Sequence, residues 1–191
     1  MIIYHDIDEA PRMGAPLAIA LGTFDGIHMG HRVILEDAVS EARRRGIRSA
    51  CYCFSNIPKA FIQSRSGKPH EKLIRLSSEK EKLDILREIG FDYVFSVPFD
   101  EKTMSMPAES FVRDTLIGKL NAKVICCGFN YTFGRKAEGN TTLLKEIASQ
   151  YGVDVRVHDP VYYEGSLVSS TVIRALLKSG NEELAHKMLK R

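Results

Sequence analysis

Short apolar runs alternate with longer amphipathic stretches along the 191 residues. Residues 18–21 (AIAL) are apolar without a break, as a strand buried on both faces requires. Residues 28–45 read as a helix with Val33, Leu35, Ala38, Val39 and Ala42 available to cover a sheet. Arg48–Phe54 is the second strand. The stretch 55–72 is polar and holds Pro58, Gly67 and Pro69, so it reads as a long loop. Ser78 and Glu81 have capping-box spacing for a helix that Gly90 ends. Tyr93–Val97 is the third strand, Pro107 opens a helix running to about Leu116, and 123–127 is the fourth strand. A Gly- and Asn-rich loop, a helix over 141–152 and a fifth strand over 153–157 follow. Two short helices, 171–178 and 182–190, close the chain, and Ile2–Tyr4 can add a short first strand.

This alternation predicts an α/β fold: a Rossmann-like, doubly wound parallel sheet with helices on both faces. No internal repeat or composition shift divides it, so one domain over 1–191 is expected. Ligands in such sheets bind beyond the carboxyl ends of the strands, at the switch point.

Composition narrows the classes. With 44% apolar and 27% charged residues, a sizeable core is available. No apolar run approaches the ~18 residues of a membrane span. The start, MIIYHDIDEAPRMG, lacks the basic, apolar and small-residue sequence of a secretory signal, so a cytoplasmic location is expected. Cys51, Cys53, Cys126 and Cys127 sit in strand-like runs at spacings that match no zinc or redox motif, and read as core residues. The net charge of +3 fits small anionic ligands. Arg43, Arg44 and Arg45 stand at a helix end before Gly46, where cations offset the dipole, and do not form a nucleic-acid face.

Three segments carry chemistry. The first, Leu21-Gly22-Thr23-Phe24-Asp25-Gly26-Ile27-His28-Met29-Gly30-His31, runs from the first strand into the first helix. Its glycines let a ligand approach the backbone, and the helix start offers unpaired N–H groups to an anion. His28 and His31, three apart, share one helix face and can donate to phosphate oxygens that gain charge in a transition state. The second, Val168-Ser169-Ser170-Thr171-Val172-Ile173-Arg174, places hydroxyls at another helix start and a guanidinium one turn in. The third, Cys127-Gly128-Phe129-Asn130-Tyr131-Thr132-Phe133-Gly134-Arg135, leaves the fourth strand toward the same sheet edge, with rings for a flat ligand and an amide at Asn130.

His28-x-Gly30-His31 resembles the His-x-Gly-His signature of the nucleotidyltransferase superfamily, and the second segment resembles its Ser-Ser-Thr and Arg signature. The longer GTFDGIHMGH and the Asn130–Gly134 loop are similar to those of bacterial FAD synthetases. Segments 76–82, 97–100 and 111–112 match that family in order. The resemblance runs from about Leu21 to the C-terminus. That family usually continues into a riboflavin kinase domain, so a separate kinase is expected to supply FMN here. The chain departs from the family at Phe54-Ser55-Asn56-Ile57-Pro58, where only Phe54 and Pro58 keep the Phe-x-Pro-His-Pro pattern of the flavin pocket.

The resemblance implies transfer of AMP from ATP to FMN, giving FAD and pyrophosphate. It implies catalytic roles for His28, His31, Asn130 and Arg174. ATP would be held by Gly22, Thr23, Phe24, Asp25, Gly26, His28, Gly30, His31, Ser169, Ser170, Thr171 and Arg174. FMN would be held by Phe54, Pro58, Asn130, Phe133 and Gly134. Mg²⁺ is expected through the nucleotide phosphates, with no dedicated protein ligands. A sister transferase with another phosphorylated acceptor, or a silent flavin- or nucleotide-binding regulator, are the competing readings.

Overall fold

A computed structural model describes residues 1–66 and 73–190. Six parallel strands form one sheet in the order β1-β4-β3-β2-β5-β6: β1 (Ile2–Tyr4), β2 (Leu17–Leu21), β3 (Arg48–Phe54), β4 (Tyr93–Val97), β5 (Ala122–Gly128) and β6 (Asp154–His158). The winding reverses between β2 and β5, which pair directly. This is the doubly wound sheet that the alternation predicts, with Ile2–Tyr4 as an edge strand on β4. Each central strand sends alternate side chains to opposite faces. Leu17, Ile19 and Leu21 join Tyr52, Phe95, Phe111, Leu116 and Leu144 in one core layer. Ala18 and Ala20 join Cys51, Cys53, Leu35, Ala38 and Leu86 in the other. All four cysteines are buried and free.

Helix α1 (Met29–Arg45) begins with His28 at its N-cap, and Gly46 in the left-handed region closes it. Arg44 and Arg45 bond Glu41 within this last turn. Its buried face is Ile34, Leu35, Ala38, Val39 and Ala42. Val33, expected there, points to solvent because it lies a third of a turn off that stripe. Helix α3 (Glu79–Ile89) carries the Ser78–Glu81 capping box and ends at Gly90.

Several elements differ from expectation. The stretch 55–72 is not one loop: α2 (Pro58–Arg65) forms within it, and 67–72 lies outside the described residues. None of its residues is buried, so no apolar stripe announces it. A short α4 (Glu101–Ser105), capped by Asp100, precedes Pro107. Beyond Pro107 the chain makes one turn, α5 (Ala108–Ser110), and then widens into a π-helix over Phe111–Lys119. Helix α6 (Thr141–Ser149) ends earlier than the Gly152 boundary. A hairpin of β7 (Tyr162–Tyr163) and β8 (Ser166–Leu167) precedes α7 (Ser170–Lys178) and α8 (Glu182–Leu189). A third apolar cluster of Leu76, Val168, Ile173, Ala185, Met188 and Leu189 packs these last helices together, with Leu76 and Leu189 against Gly26 in the loop that follows β2.

Candidate functional site

The loop from β2 into α1 is built tightly. Phe24 (φ 50°), Gly26 (φ 85°) and Ile27 (φ 36°) all have positive φ, and Phe24 and Ile27 are fully buried. Such backbone is costly for non-glycine residues and persists where packing over-determines it. Gly22 is required beside it, since a Cβ there would stand 2.8 Å from the Phe24 ring.

This loop ends in the two histidines. The His28 and His31 rings stack with centroids 3.6 Å apart, and the Phe24 ring meets His31 edge-on at 5.2 Å. The backbone N–H of His31 donates to His28 Nδ1 at 3.3 Å. Nδ1 is thus the acceptor, and a neutral His28 carries its proton on Nε2. Burial, then the Arg174 charge, lowers the His28 pKa to about 4. Burial pushes His31 well below the usual histidine range, with help from His28, Arg174 and Lys82. Both rings are therefore neutral near pH 7 and can donate a hydrogen bond without carrying a charge. His31 Nδ1 is buried without a hydrogen-bond partner among the described residues.

The second segment folds against the first. Ser169 caps α7 and accepts from the Val172 N–H. Ser170 Oγ donates to the Asp25 carbonyl at 3.2 Å. Arg174 Nη2 donates to Asp25 Oδ2 at 2.6 Å, and its Nε donates to the Ile74 carbonyl at 2.8 Å. Asp25 also accepts from the Leu76 and Ser77 N–H groups, each at 3.2 Å, and is itself buried. A Cβ on Gly30 would lie 3.4 Å from His28 and 3.6 Å from the Val168 carbonyl, so the two helix starts touch here. Thr171 is exposed. The structure therefore brings Gly22–His31 and Ser169–Arg174 together. It turns Asp25 inward as a structural acceptor for Arg174, an arrangement that spacing alone does not indicate.

The third segment leaves β5 across the switch point. Asn130 is exposed, and its Oδ1 would lie 3.5 Å from a Cβ on Gly128. Phe133 bridges Gly139 and is 7% exposed, its ring 5.8 Å from Phe111. Gly134 (φ 75°) packs on Ala108 with no room for a side chain. Phe54, half-buried at the end of β3, meets Tyr52 and Phe99 edge-on at 6.2 and 5.2 Å. Tyr52 and Phe111 link Phe54 to Phe133 as a continuous row of rings. Phe133 lies mostly within the core, so Phe54, half-buried Tyr131 and exposed Phe129 offer the more open aromatic surface. Pro58 is the first residue of α2.

Two features escape sequence reasoning. Asn56 exchanges hydrogen bonds with both backbone groups of Phe99, at 3.0 and 2.7 Å, and so fixes the strand ends beside Phe54. Lys82 is 3% exposed and donates from Nζ to the Phe54 carbonyl. Its signal was available: position 82 lies four residues before the buried Leu86, on the core face of α3.

Asp37, Cys126 and His158 form one group of metal-ligand type among the described residues. Asp37 there accepts from Arg156 at 2.7 and 3.0 Å, and burial raises the Cys126 thiol, which keeps its proton. The group reads as an ion-pair network between α1, β5 and β6.

Residues 11–172 match the FAD synthetase family. The bifunctional riboflavin kinase/FMN adenylyltransferase of Escherichia coli strain K12 is 34% identical over 97% of this chain and 57% of its own length. A Geobacillus thermodenitrificans protein named for the same two activities is 30% identical over 90% of this chain and 88% of its own. A crystal structure named as a macrolide-efflux protein of Streptococcus pneumoniae superposes with TM-score 0.83 and 27% identity, covering 99% of this chain and 59% of that one. Among the described residues of this chain, no helix is long and apolar enough to cross a membrane. The chain thus spans a little over half the length of the Escherichia coli relative, and it belongs to the FAD synthetase family.

Proposed function

We propose that this chain is an FMN adenylyltransferase, moving AMP from ATP to FMN with release of pyrophosphate. The observation that carries the reading is the stacked His28–His31 pair at the start of α1, touching the start of α7 at the switch point of a family-matched sheet. An oxygen of the FMN phosphate attacks the α-phosphorus of ATP. The bond from that phosphorus to the bridging oxygen breaks, and the electron pair leaves with pyrophosphate.

A phosphomonoester is already nucleophilic near neutral pH, so positioning and charge stabilisation do the work. His28 Nε2–H and the His31 ring would donate to phosphate oxygens as charge develops. The N–H groups that open α1 and α7, with Gly22, Thr23, Phe24, Gly26, Gly30, Ser169, Ser170 and Thr171, would line the triphosphate's seat. Arg174 would reach that seat from its anchorage on Asp25, and Asn130 would orient the acceptor phosphate. Phe54, Pro58, Phe133 and Gly134 would shape the flavin side.

The Asp25 carboxylate is occupied by Arg174 and two N–H groups, so it is a poor metal ligand. The donor set fits Mg²⁺ held chiefly by phosphate oxygens and water, where it would neutralise the departing pyrophosphate. We extend the reading to one catalytic domain over 1–191, working in the cytoplasm on FMN.

The test is an acceptor panel with MgATP: FMN, nicotinamide mononucleotide and phosphopantetheine, each scored for pyrophosphate and adenylylated product. FAD and pyrophosphate in equal amounts, from FMN alone, is the expected result. Turnover with another acceptor and none with FMN would overturn it.

A further inference from the structure

Lys82 is a basic side chain buried where no carboxylate among the described residues neutralises it. It is 3% exposed and sits on the inner face of α3. Among the described residues, no carboxylate lies within ion-pair distance of it. The nearby acids are engaged elsewhere: Glu79 accepts from Ser96 at 2.9 Å, Glu81 closes the capping box, and Asp84 pairs with Lys80 and Arg87. Among the described residues its ammonium donates to the carbonyl of Phe54, the last residue of β3. A buried charge without a counter-charge is costly, and a site that keeps one receives the counter-charge from outside.

Two neighbours report its position. Its charge helps to push the His31 imidazole down, after burial, His28 and Arg174. It also contributes to lowering the Cys53 thiol, after that thiol's hydrogen bond with Cys51. Lys82 is thus fixed at the end of β3, where the acceptor side of the site begins, and its charge bears on His31. His31 Nδ1, buried and unpartnered, is a second polar group there awaiting a partner.

We infer that Lys82 is the fixed cation for the acceptor's phosphate: anchored on the Phe54 carbonyl, it favours a phosphorylated flavin over an unphosphorylated one. This rests on the FMN reading above and adds to it the residue that sets the phosphate requirement. Lys82 donates up to three hydrogen bonds, and the Phe54 carbonyl takes one, leaving others for phosphate oxygens.

The experiment measures binding of FMN and of riboflavin by flavin fluorescence, without ATP, so that it is independent of turnover. Wild-type protein should bind FMN at least about tenfold more tightly than riboflavin. Lys82→Met should weaken FMN roughly 10–100-fold, the range for a lost charged hydrogen bond, and leave riboflavin within about twofold. Lys82→Arg should restore most of the FMN preference. Equal affinity of wild-type protein for the two flavins overturns the inference and needs no variant to fold. Equal loss of both flavins in Lys82→Met overturns it as well, since that is the mark of a structural role. If the preference and its loss appear while no FAD is made, the phosphate-seat assignment stands and the transferase reading falls.

Discussion

The Asp25 carboxylate and the Arg174 guanidinium meet at 2.6 Å across 149 positions of sequence, both largely buried. The pair ties the loop that leaves β2 to the first turns of α7, and the Leu76 and Ser77 N–H groups complete the shell. Removing one partner would strand the other charge in the interior. Asp25→Ala should therefore cost about 3–5 kcal/mol, or roughly 10 °C in Tm. A thermal melt of the variant checks this. A Tm within 2 °C of wild type, about half a kcal/mol at this size, would show that the pair is not held as described.

The His28–His31 stack makes a kinetic prediction. If His31 donates to oxygen that gains charge only during transfer, His31→Ala lowers kcat more than it weakens FMN binding. A fall of about 10²–10³ in kcat is expected by analogy with the loss of one oxyanion donor. Steady-state kinetics alongside FMN titration separate the two effects. Unchanged turnover would remove His31 from the reaction.

The same rings bear on stability. His28 has an ordinary pKa of 6.5 when unfolded and about 4 when folded, and His31 is shifted the same way. Below pH 6.5 the unfolded chain takes up protons that the folded chain refuses. Stability is therefore whole above pH 6.5 and is lost as pH falls toward 4. For His28 alone the loss is on the order of 3 kcal/mol. Urea unfolding at pH 7.5 and pH 5 should show a larger acid loss in wild type than in His28→Gln/His31→Gln. Equal losses would mean that the rings are not buried in neutral form.

Gly134 holds φ at 75°, and a Cβ there would stand 2.7 Å from the Ala108 backbone. Gly134→Ala combines strained backbone with a clash that no side-chain rotation relieves. A destabilisation of about 2 kcal/mol or more is expected from urea unfolding. FMN binding should fall too if the Asn130–Gly134 loop faces the acceptor. A neutral substitution would show that the loop has room to shift.

The strands were legible because β2, β3 and β5 are nearly unbroken apolar runs, as burial between two helical layers demands. Capping chemistry marked α3 through Ser78 and Glu81, and Gly46 marked the end of α1, whereas the caps at His28 and Ser169 emerge only in the structure. Helix α2 was missed because it buries nothing, and the β7–β8 hairpin because two-residue strands carry no periodic signal. At the site, spacing pointed to the two histidines and to Arg174. It did not indicate that Arg174 is held by Asp25, nor that Asn56 clamps Phe99, since both partners are remote in sequence. Lys82 reads as one more charge in a run of Glu and Lys until the face it occupies is counted against Leu86.

The measurement that tests the central claim most directly is FAD formation by purified protein from FMN and MgATP, with FAD and pyrophosphate quantified together. The account predicts FAD and pyrophosphate in equal amounts, dependent on Mg²⁺ and abolished in a His28→Ala/His31→Ala variant that still binds FMN. Absence of FAD from wild-type protein that binds both FMN and ATP would contradict it.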